Sequence, residues 1–241
     1  MPSTFLDLCN QTLRRLNEVE IAAADFPNTR GVQSLVKDAV RNSLRKINQA
    51  EFEWPFNAAE QTQVLTVGQS EYSWPAEFKV VQWTSFQLLE DPNLNVGFRS
   101  LQFIDRDIWY RQLRDRDRTA GVNGAGVPTH VFPSHGTGFG VTPSPDKPYS
   151  VRFRYFLNVV DLSNADDLTR VPSDFDHVIV DGALYHMYMY KDNPESAGLT
   201  SVAFERGLAD LRTLYINNFH SIYDRRVNFG GGQFRRVPDA R

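Results

Sequence analysis

The chain has one cysteine and no long apolar run, and each scarcity excludes a class of protein. Cys9 alone cannot form a disulfide within the chain or supply a cysteine-based zinc site. The longest apolar runs, residues 178–180 and 187–190, are far shorter than the roughly 18 residues that a membrane span needs. Residues 1–4 do not show the charged and then apolar pattern of a signal peptide. We therefore expect a protein that is found in the cytosol or assembled from it, without a membrane association.

An excess of basic residues is also absent. The chain has 26 lysines and arginines against 29 aspartates and glutamates, a formal net charge of −3. This balance argues against a protein whose whole surface binds nucleic acid, although a local basic patch remains possible. The length of 241 residues fits one large or two small domains, and the 41% hydrophobic content is sufficient for a folded core.

Motifs for catalysis, metal binding and phosphate binding are missing as well. Residues 136–140 (GTGFG) are followed by a strand pattern and prolines instead of a helix, so they predict a hairpin turn and not a phosphate loop. No G-x-S-x-G elbow is present. Cys9 falls on the apolar face of a predicted helix, where a buried and unreactive thiol is expected. None of the five histidines shows the paired spacing of a metal site: His130, His135, His177, His186 and His220. We therefore predict no catalytic residue, no metal site and no cofactor.

Apolar residues recur every three or four positions near both ends of the chain, which predicts helices there. Ser3 is the predicted cap of a first helix that ends near Asn17, and a second helix covers residues 32–47. Two more helices are predicted at residues 175–190 and from about 196 to 217, packed as a hairpin.

The middle of the chain has a period of two, which predicts strands. Residues 64–67 and 71–75 are predicted to form a hairpin. A short helix is predicted at residues 103–113, and residues 114–128 are predicted to form a loop without a regular pattern. Further strands are predicted at residues 79–89, 129–132, 139–142 and 149–157.

The order of these elements predicts an α+β fold. Two helix pairs cannot each bury an apolar face alone, so we expect residues 1–60 and 161–223 to form one helical bundle. Residues 61–160 then form an inserted, antiparallel β-rich domain. Residues 224–241 have five arginines against two aspartates and no periodicity, which predicts an extended basic arm.

Aspartates and arginines alternate between residues 105 and 118. Paired carboxylates at such positions are able to act in acid–base catalysis, but the intervening arginines more simply neutralise them on a solvated or interfacial surface. Arginines and aromatic residues are enriched at protein–protein contacts. The predicted interface with another subunit or another protein consists of Arg106, Trp109, Arg114, Arg116 and Arg118.

Several short motifs resemble those of one known family. They are residues 5–17 (FLDLCNQTLRRLN), residues 39–47 (AVRNSLRKI) followed by Trp54-Pro55-Phe56, residues 64–67 with 72–75, and residues 171–175 (VPSDF). In this order the motifs resemble those of the bacteriophage head-to-tail adaptor proteins, the group of the podovirus tail tubular protein A and related head-completion connectors.

The resemblance implies a structural protein of the virion neck and tail, assembled in the host cytoplasm and not an enzyme. It implies a dodecameric ring that joins the portal to the tail tube or nozzle and continues the DNA channel used in DNA ejection. The implied partners are other copies of the chain, the portal protein and a tail nozzle or tube protein. Genomic DNA is expected to pass through the lumen without specific binding.

The basic arm is the predicted portal contact, because a flexible arginine-rich segment can become ordered on a neighbour through charge-assisted hydrogen bonds. The residues expected to make this contact are Arg225, Arg226, Phe229, Phe234, Arg235 and Arg236.

Three other functions are open at this point. The protein could be a different tail-assembly component, such as a tube terminator. It could be a glycan-binding or glycan-cleaving virion protein, with the β-rich domain as the sugar face and Asp105 or Asp117 as the carboxylate. Finally, the arginine arm could bind nucleic acid, with an affinity that falls steeply with salt.

Overall fold

The computed structural model describes residues 3–89, 97–119, 124–135 and 138–217, and it has an α+β fold. The chain divides into two compact units. We call Met1–Phe56 with Val159–Arg241 the helical unit, and Asn57–Asn158 the β unit. None of the described helices is both long enough and apolar enough to cross a membrane.

The helical unit contains four longer helices, numbered here in chain order with two short ones of the β unit. They are α1 (Phe5–Arg15), α2 (Val32–Ala50), α5 (Asp176–Tyr190) and α6 (Pro194–Arg212), and a π-helical turn (Thr213–Asn217) follows α6. Their positions confirm the helices predicted from the apolar period. The cap of α1 is Thr4, not Ser3: the Thr4 hydroxyl accepts from the amide of Asp7, whose carboxylate accepts from the amide of Thr4.

Buried side chains of all four helices form one apolar core, to which α5 contributes on most of its sides. Trp54 also lies in this core and donates from Nε1 to the carbonyl of Ile47 at 2.8 Å. Cys9 is fully buried, and burial raises the pKa of its thiol to about 12. This confirms the predicted inert thiol, because the thiolate is the reactive form.

Asp176, in the first turn of α5, makes the stability of the helical unit depend on pH. Its carboxylate is buried and accepts a hydrogen bond from the hydroxyl of Ser3. Burial raises the pKa of Asp176 above its ordinary value, and the bond from Ser3 only partly opposes this. Between the ordinary and the raised pKa the unfolded chain has lost a proton that the folded chain keeps. Stability therefore falls as pH rises through this window and stays lower above it.

We expect Asp176→Asn to raise Tm by a few degrees at neutral pH, because the amide can still accept from Ser3 without carrying a buried charge. The gain should disappear at acidic pH, where the wild-type carboxyl is protonated in both states. Thermal unfolding across a pH series measures this. Asp166→Asn, at an exposed position of the same unit, is the control and should leave Tm unchanged. A gain that does not depend on pH would contradict the explanation.

The β unit has two sheets. In the first the strand order is β1-β9-β4-β5, with β3 also paired to β9, and in the second it is β2-β8-β7-β6. The strand pairs are antiparallel except for β6 with β7. The strands are β1 (Ala58–Val64), β2 (Glu71–Ser73), β3 (Phe78–Val81), β4 (Gln87–Leu89), β5 (Gly97–Ser100), β6 (Gln102–Phe103), β7 (His130–Pro133), β8 (Gly138–Thr142) and β9 (Ser150–Leu157).

The predicted hairpin of residues 64–67 and 71–75 is wrong. The strand is β1, which ends at Val64, and it pairs with β9. The second strand, β2, pairs with β8 in the other sheet. Local strand propensity predicted β2, but it placed the first strand at residues 64–67, of which β1 contains only Val64. The partners of both strands were not predicted, because the pairing is decided by the core that the two sheets share.

Aromatic side chains fill the core of the β unit. Phe139 of β8 and Phe153 of β9 come from different sheets, and their ring centroids are 5.3 Å apart. Phe86 stacks on Phe153 at 4.9 Å. The predicted alternation of β9 is confirmed, since Val151, Phe153 and Tyr155 are all buried on one side of the strand.

Candidate interaction site

A helical segment joins β6 to the part of the β unit that precedes β7. It consists of α3 (Arg106–Ile108), a π-helical stretch (Trp109–Leu113) and α4 (Arg114–Thr119). The carboxylate of Asp105 caps it by accepting from the amide of Asp107 at 2.8 Å. The prediction that the helix ends at residue 113 and a loop follows is wrong, because helical structure continues to Thr119.

Trp109 attaches this helical segment to the second sheet. Its side chain is only 1% exposed, and its ring stacks on that of Phe132 in β7 at a centroid distance of 4.1 Å. The indole Nε1 donates to Oδ2 of Asp117 at 2.8 Å, so one contact ties the start of the segment to its end. This tertiary contact explains why residues 114–119 are helical although their sequence shows no clear helical pattern.

A glycine makes the room for this stack. Gly140 of β8 lies opposite Phe132 in the register of β7 and β8. A Cβ atom at Gly140 would lie 2.2 Å from Cζ of Phe132, which is far inside van der Waals contact. Sequence reasoning assigned residues 136–140 to a hairpin turn and residues 139–142 to a strand, and no local signal shows that Gly140 accommodates a ring.

Two expectations about this segment need correction. Trp109 was expected at an interface with another protein, but its side chain lies inside the β unit, where its large apolar area is best buried. Asp117 was expected on a solvated or interfacial surface among arginines, but its side chain is buried beside Trp109. Asp105 and Asp117, the carboxylates considered for glycan cleavage, therefore both accept structural hydrogen bonds.

Other side chains of the segment form an exposed surface. Ile108 is 47% exposed and Tyr110 is 52% exposed, and Phe103 at the end of β6 is exposed to a similar degree. The guanidinium of Arg114 lies 4.5 Å from the centre of the Tyr110 ring, within cation–π distance. Arg106, Tyr110 and Arg114 are spaced four residues apart in this helical segment and so lie on one side of it, and we call these three residues the aromatic–arginine patch.

The sequence reasoning found Arg106 and Arg114 of this patch but missed Tyr110. A signal for Tyr110 does exist. It adjoins Trp109, and successive residues of a helix point about 100° apart, so Tyr110 lies away from the face that Trp109 buries. Arg116 and Arg118 lie in α4, and their side chains are outside the described part of the structure.

The six residues assigned to the portal-binding arm, Arg225, Arg226, Phe229, Phe234, Arg235 and Arg236, lie outside the described residues. Within the described ranges, no three His, Cys, Asp or Glu side chains are grouped so that they could hold a metal ion.

Comparisons with known proteins agree with an adaptor. A family model described as SU10 adaptor protein matches residues 3–227, which is nearly the whole chain. No curated protein matches the sequence.

Proposed function

Because the chain belongs to the SU10 adaptor protein family, and is therefore a structural adaptor protein of a phage virion, we propose that it forms the ring joining the portal to the tail. In this proposal the ring is a dodecamer that continues the DNA channel to the tail tube or nozzle. The observation that carries the proposal is the family match over residues 3–227.

The aromatic–arginine patch supports the proposal of a ring. A closed ring of identical subunits uses heterologous contacts, in which one face of a subunit fits a different face of the next. Such contacts favour exposed aromatic and arginine side chains, which Tyr110 and Arg114 provide. Because Trp109 holds the segment from inside, the patch is rigid before it binds, and less conformational entropy is lost on assembly.

The helical unit is suited to form the body of each subunit. Its α1, α2, α5 and α6 share one buried core, and we propose that the two helix pairs act as a single bundle in the ring. The net charge of −3 is consistent with a channel that DNA must leave rapidly, because a basic lumen would gain affinity for DNA through counterion release.

The ring contact can be tested with Tyr110→Asp. The variant should fold, since Tyr110 is exposed, but it should assemble on portal rings much less well than the wild type. Electron microscopy of the purified protein mixed with portal measures this as the fraction of portals that carry a stacked ring. Val67→Asp is the matched control, because Val67 is an equally exposed apolar residue of the β unit outside the patch.

Either of two results would contradict parts of the proposal. If Tyr110→Asp forms stacked rings as readily as Val67→Asp, the patch is not a subunit contact. If the wild-type protein caps tail tubes and ignores portals, the protein is a tube terminator and the proposed ring at the portal is wrong.

The basic arm is proposed as the contact with the portal. Deleting residues 225–241 should leave a folded protein that no longer joins portal-bearing heads, because the arginines that make charge-assisted contacts are lost. Sedimentation of heads with bound protein measures the loss, and an unchanged melting curve shows that the truncated chain is folded. Head binding by the truncated protein at the wild-type level would refute the role of the arm.

A further inference from the structure

The strand β1 is an open edge of the first sheet of the β unit. It pairs with β9 over all seven residues, Ala58–Val64, without a register shift, and no other described strand pairs with it. Its side chains alternate between exposed and half-buried, and Val64 is 59% exposed. An edge of this kind presents unpaired N–H and C=O groups to any extended chain that reaches it.

Apart from the single charged residue Glu60, the devices that protect sheet edges are missing from β1, but they are present elsewhere in the unit. Natural edges are shortened, interrupted by bulges, or given lysine or proline. Among the other described edge strands, β2 has three residues and β6 has two, while β5 has a register shift in its pairing with β4. By contrast, β1 has neither lysine nor proline and is regular throughout.

The sequence of β1 is complementary to itself. When two copies pair antiparallel about their middle residue, Gln61 faces Gln61 of the other copy, and Glu60 faces Thr62. The exposed Val64 faces Ala58, which joins two apolar side chains. No like charges face each other, because Glu60 is the one charged residue of the strand. From this pattern we propose that the β1 edge binds the β1 edge of a second copy, which extends the first sheet across a two-fold axis through Gln61.

The side chain of Gln61 provides an independent observation. Its Oε1 atom is buried and accepts no hydrogen bond from any described residue. A buried acceptor without a donor is costly. On the two-fold axis the two Gln61 side chains lie beside each other, about 5 Å apart between the Cβ atoms. When each side chain turns toward the axis, its Nε2 can donate to Oε1 of the other copy, which gains the donor that it lacks within its own subunit.

This pairing goes beyond the proposed ring. A two-fold contact between identical edges cannot by itself close a ring of head-to-tail subunits, so the paired form belongs to the protein before assembly. It covers an edge that otherwise promotes aggregation.

Disulfide trapping tests the register directly. In Gln61→Cys the two Cα atoms across the axis are about 5 Å apart, within the range for a disulfide. In Gln63→Cys, a change of the same residue type on the same face of the strand, the two Cα atoms are about 14 Å apart. Because Cys9 is buried, the introduced thiol is the reactive one in each variant. Under mild oxidation we expect Gln61→Cys to form a covalent dimer rapidly, whereas Gln63→Cys should not.

Charge variants test the pairing without a crosslink. Thr62→Glu places a carboxylate opposite Glu60 of the other copy at two symmetric positions, but within its own chain it faces Arg152 of β9. The subunit should therefore fold normally, while dimerisation weakens about tenfold. The double variant Glu60→Thr with Thr62→Glu exchanges the two residues, so that each glutamate again faces a threonine of the other copy. Because no like charges then face each other, the double variant should recover the dimer. Light scattering over a dilution series measures the dissociation constant.

Three results would overturn the inference. They are equal crosslinking of the two cysteine variants, a wild-type protein that stays monomeric over the whole dilution series, and a dimer that Thr62→Glu does not weaken. None of these results bears on the stacked ring at the portal, so the inference can fail while the proposed function stands.

Discussion

Replacing Trp109 with alanine is expected to lower the free energy of unfolding of the β unit by about 3–5 kcal/mol. The change removes a fully buried ring that stacks on Phe132. It also removes the hydrogen bond that Oδ2 of Asp117 accepts from the indole Nε1. The cavity cannot close easily, because Phe132 is itself held beside Gly140. Urea unfolding followed by far-ultraviolet circular dichroism measures the loss, because this signal reports on the backbone and not on the tryptophan that is replaced.

Two further variants separate the contributions at this site. Trp109→Phe keeps an aromatic ring on Phe132 but has no donor for Asp117, so it should cost about 1–3 kcal/mol. Tyr110→Ala, next in sequence and 52% exposed, should change stability by less than about 0.5 kcal/mol. Were Trp109→Ala as stable as Tyr110→Ala, the helical segment would not depend on this anchor.

The same experiment links the anchor to assembly. Because Ile108, Tyr110 and Arg114 belong to the segment that Trp109 holds, Trp109→Ala should also weaken ring formation at temperatures where the protein is still folded. Tyr110→Ala should weaken assembly without affecting stability. A residue that positions the patch should affect both stability and assembly when it is replaced, whereas a residue that forms the patch should affect assembly alone.

Gly207→Ala is expected to destabilise the helical unit by about 1–3 kcal/mol, although alanine is the better helix former. A Cβ atom at Gly207 would lie 2.4 Å from Cγ2 of Val178, where α6 crosses α5. Valine is branched at Cβ and has little rotational freedom in a helix, so it cannot turn away. The helices must then move apart and lose contacts elsewhere in the core.

Gly198→Ala, in the same helix, is the matched control. No atom lies within 4 Å of a Cβ placed at Gly198, so the substitution should stabilise the unit by about 0.5–1 kcal/mol through helix propensity alone. Thermal unfolding of both variants measures the two opposite signs. If Gly207→Ala is also stabilising, the close approach of α5 and α6 does not limit the packing of this unit.

Several of the elements that sequence reasoning predicted correctly have burial that is one-sided and repeated. The apolar residues of α1 and α2 recur at helical spacing, and burial alternates along β9 from Val151 to Tyr155, so the local pattern is sufficient to identify them. The helical segment from Arg106 to Thr119 was predicted only as far as residue 113, because residues 114–119 have no such pattern. Their helical state depends on the contact of Asp117 with Trp109, whose ring is held by Phe132 from a distant part of the chain.

The candidate site was predicted in part. Arginine enrichment identified Arg106 and Arg114, but composition cannot tell which aromatic residue of residues 109 and 110 is buried. The structure buries Trp109 and exposes Tyr110, because only one of two adjacent helical positions can face the sheet.

By itself, the sequence determined the order of helices and strands, the α+β class, the buried and unreactive state of Cys9, and membership of an adaptor family. These follow from periodicity, composition and motif order, which are properties of neighbouring residues. Only the tertiary structure decided which strands pair, that Gly140 accommodates Phe132, and that β1 is left as an open edge. Such features depend on which distant segment covers a given face, and no local pattern along the chain records that.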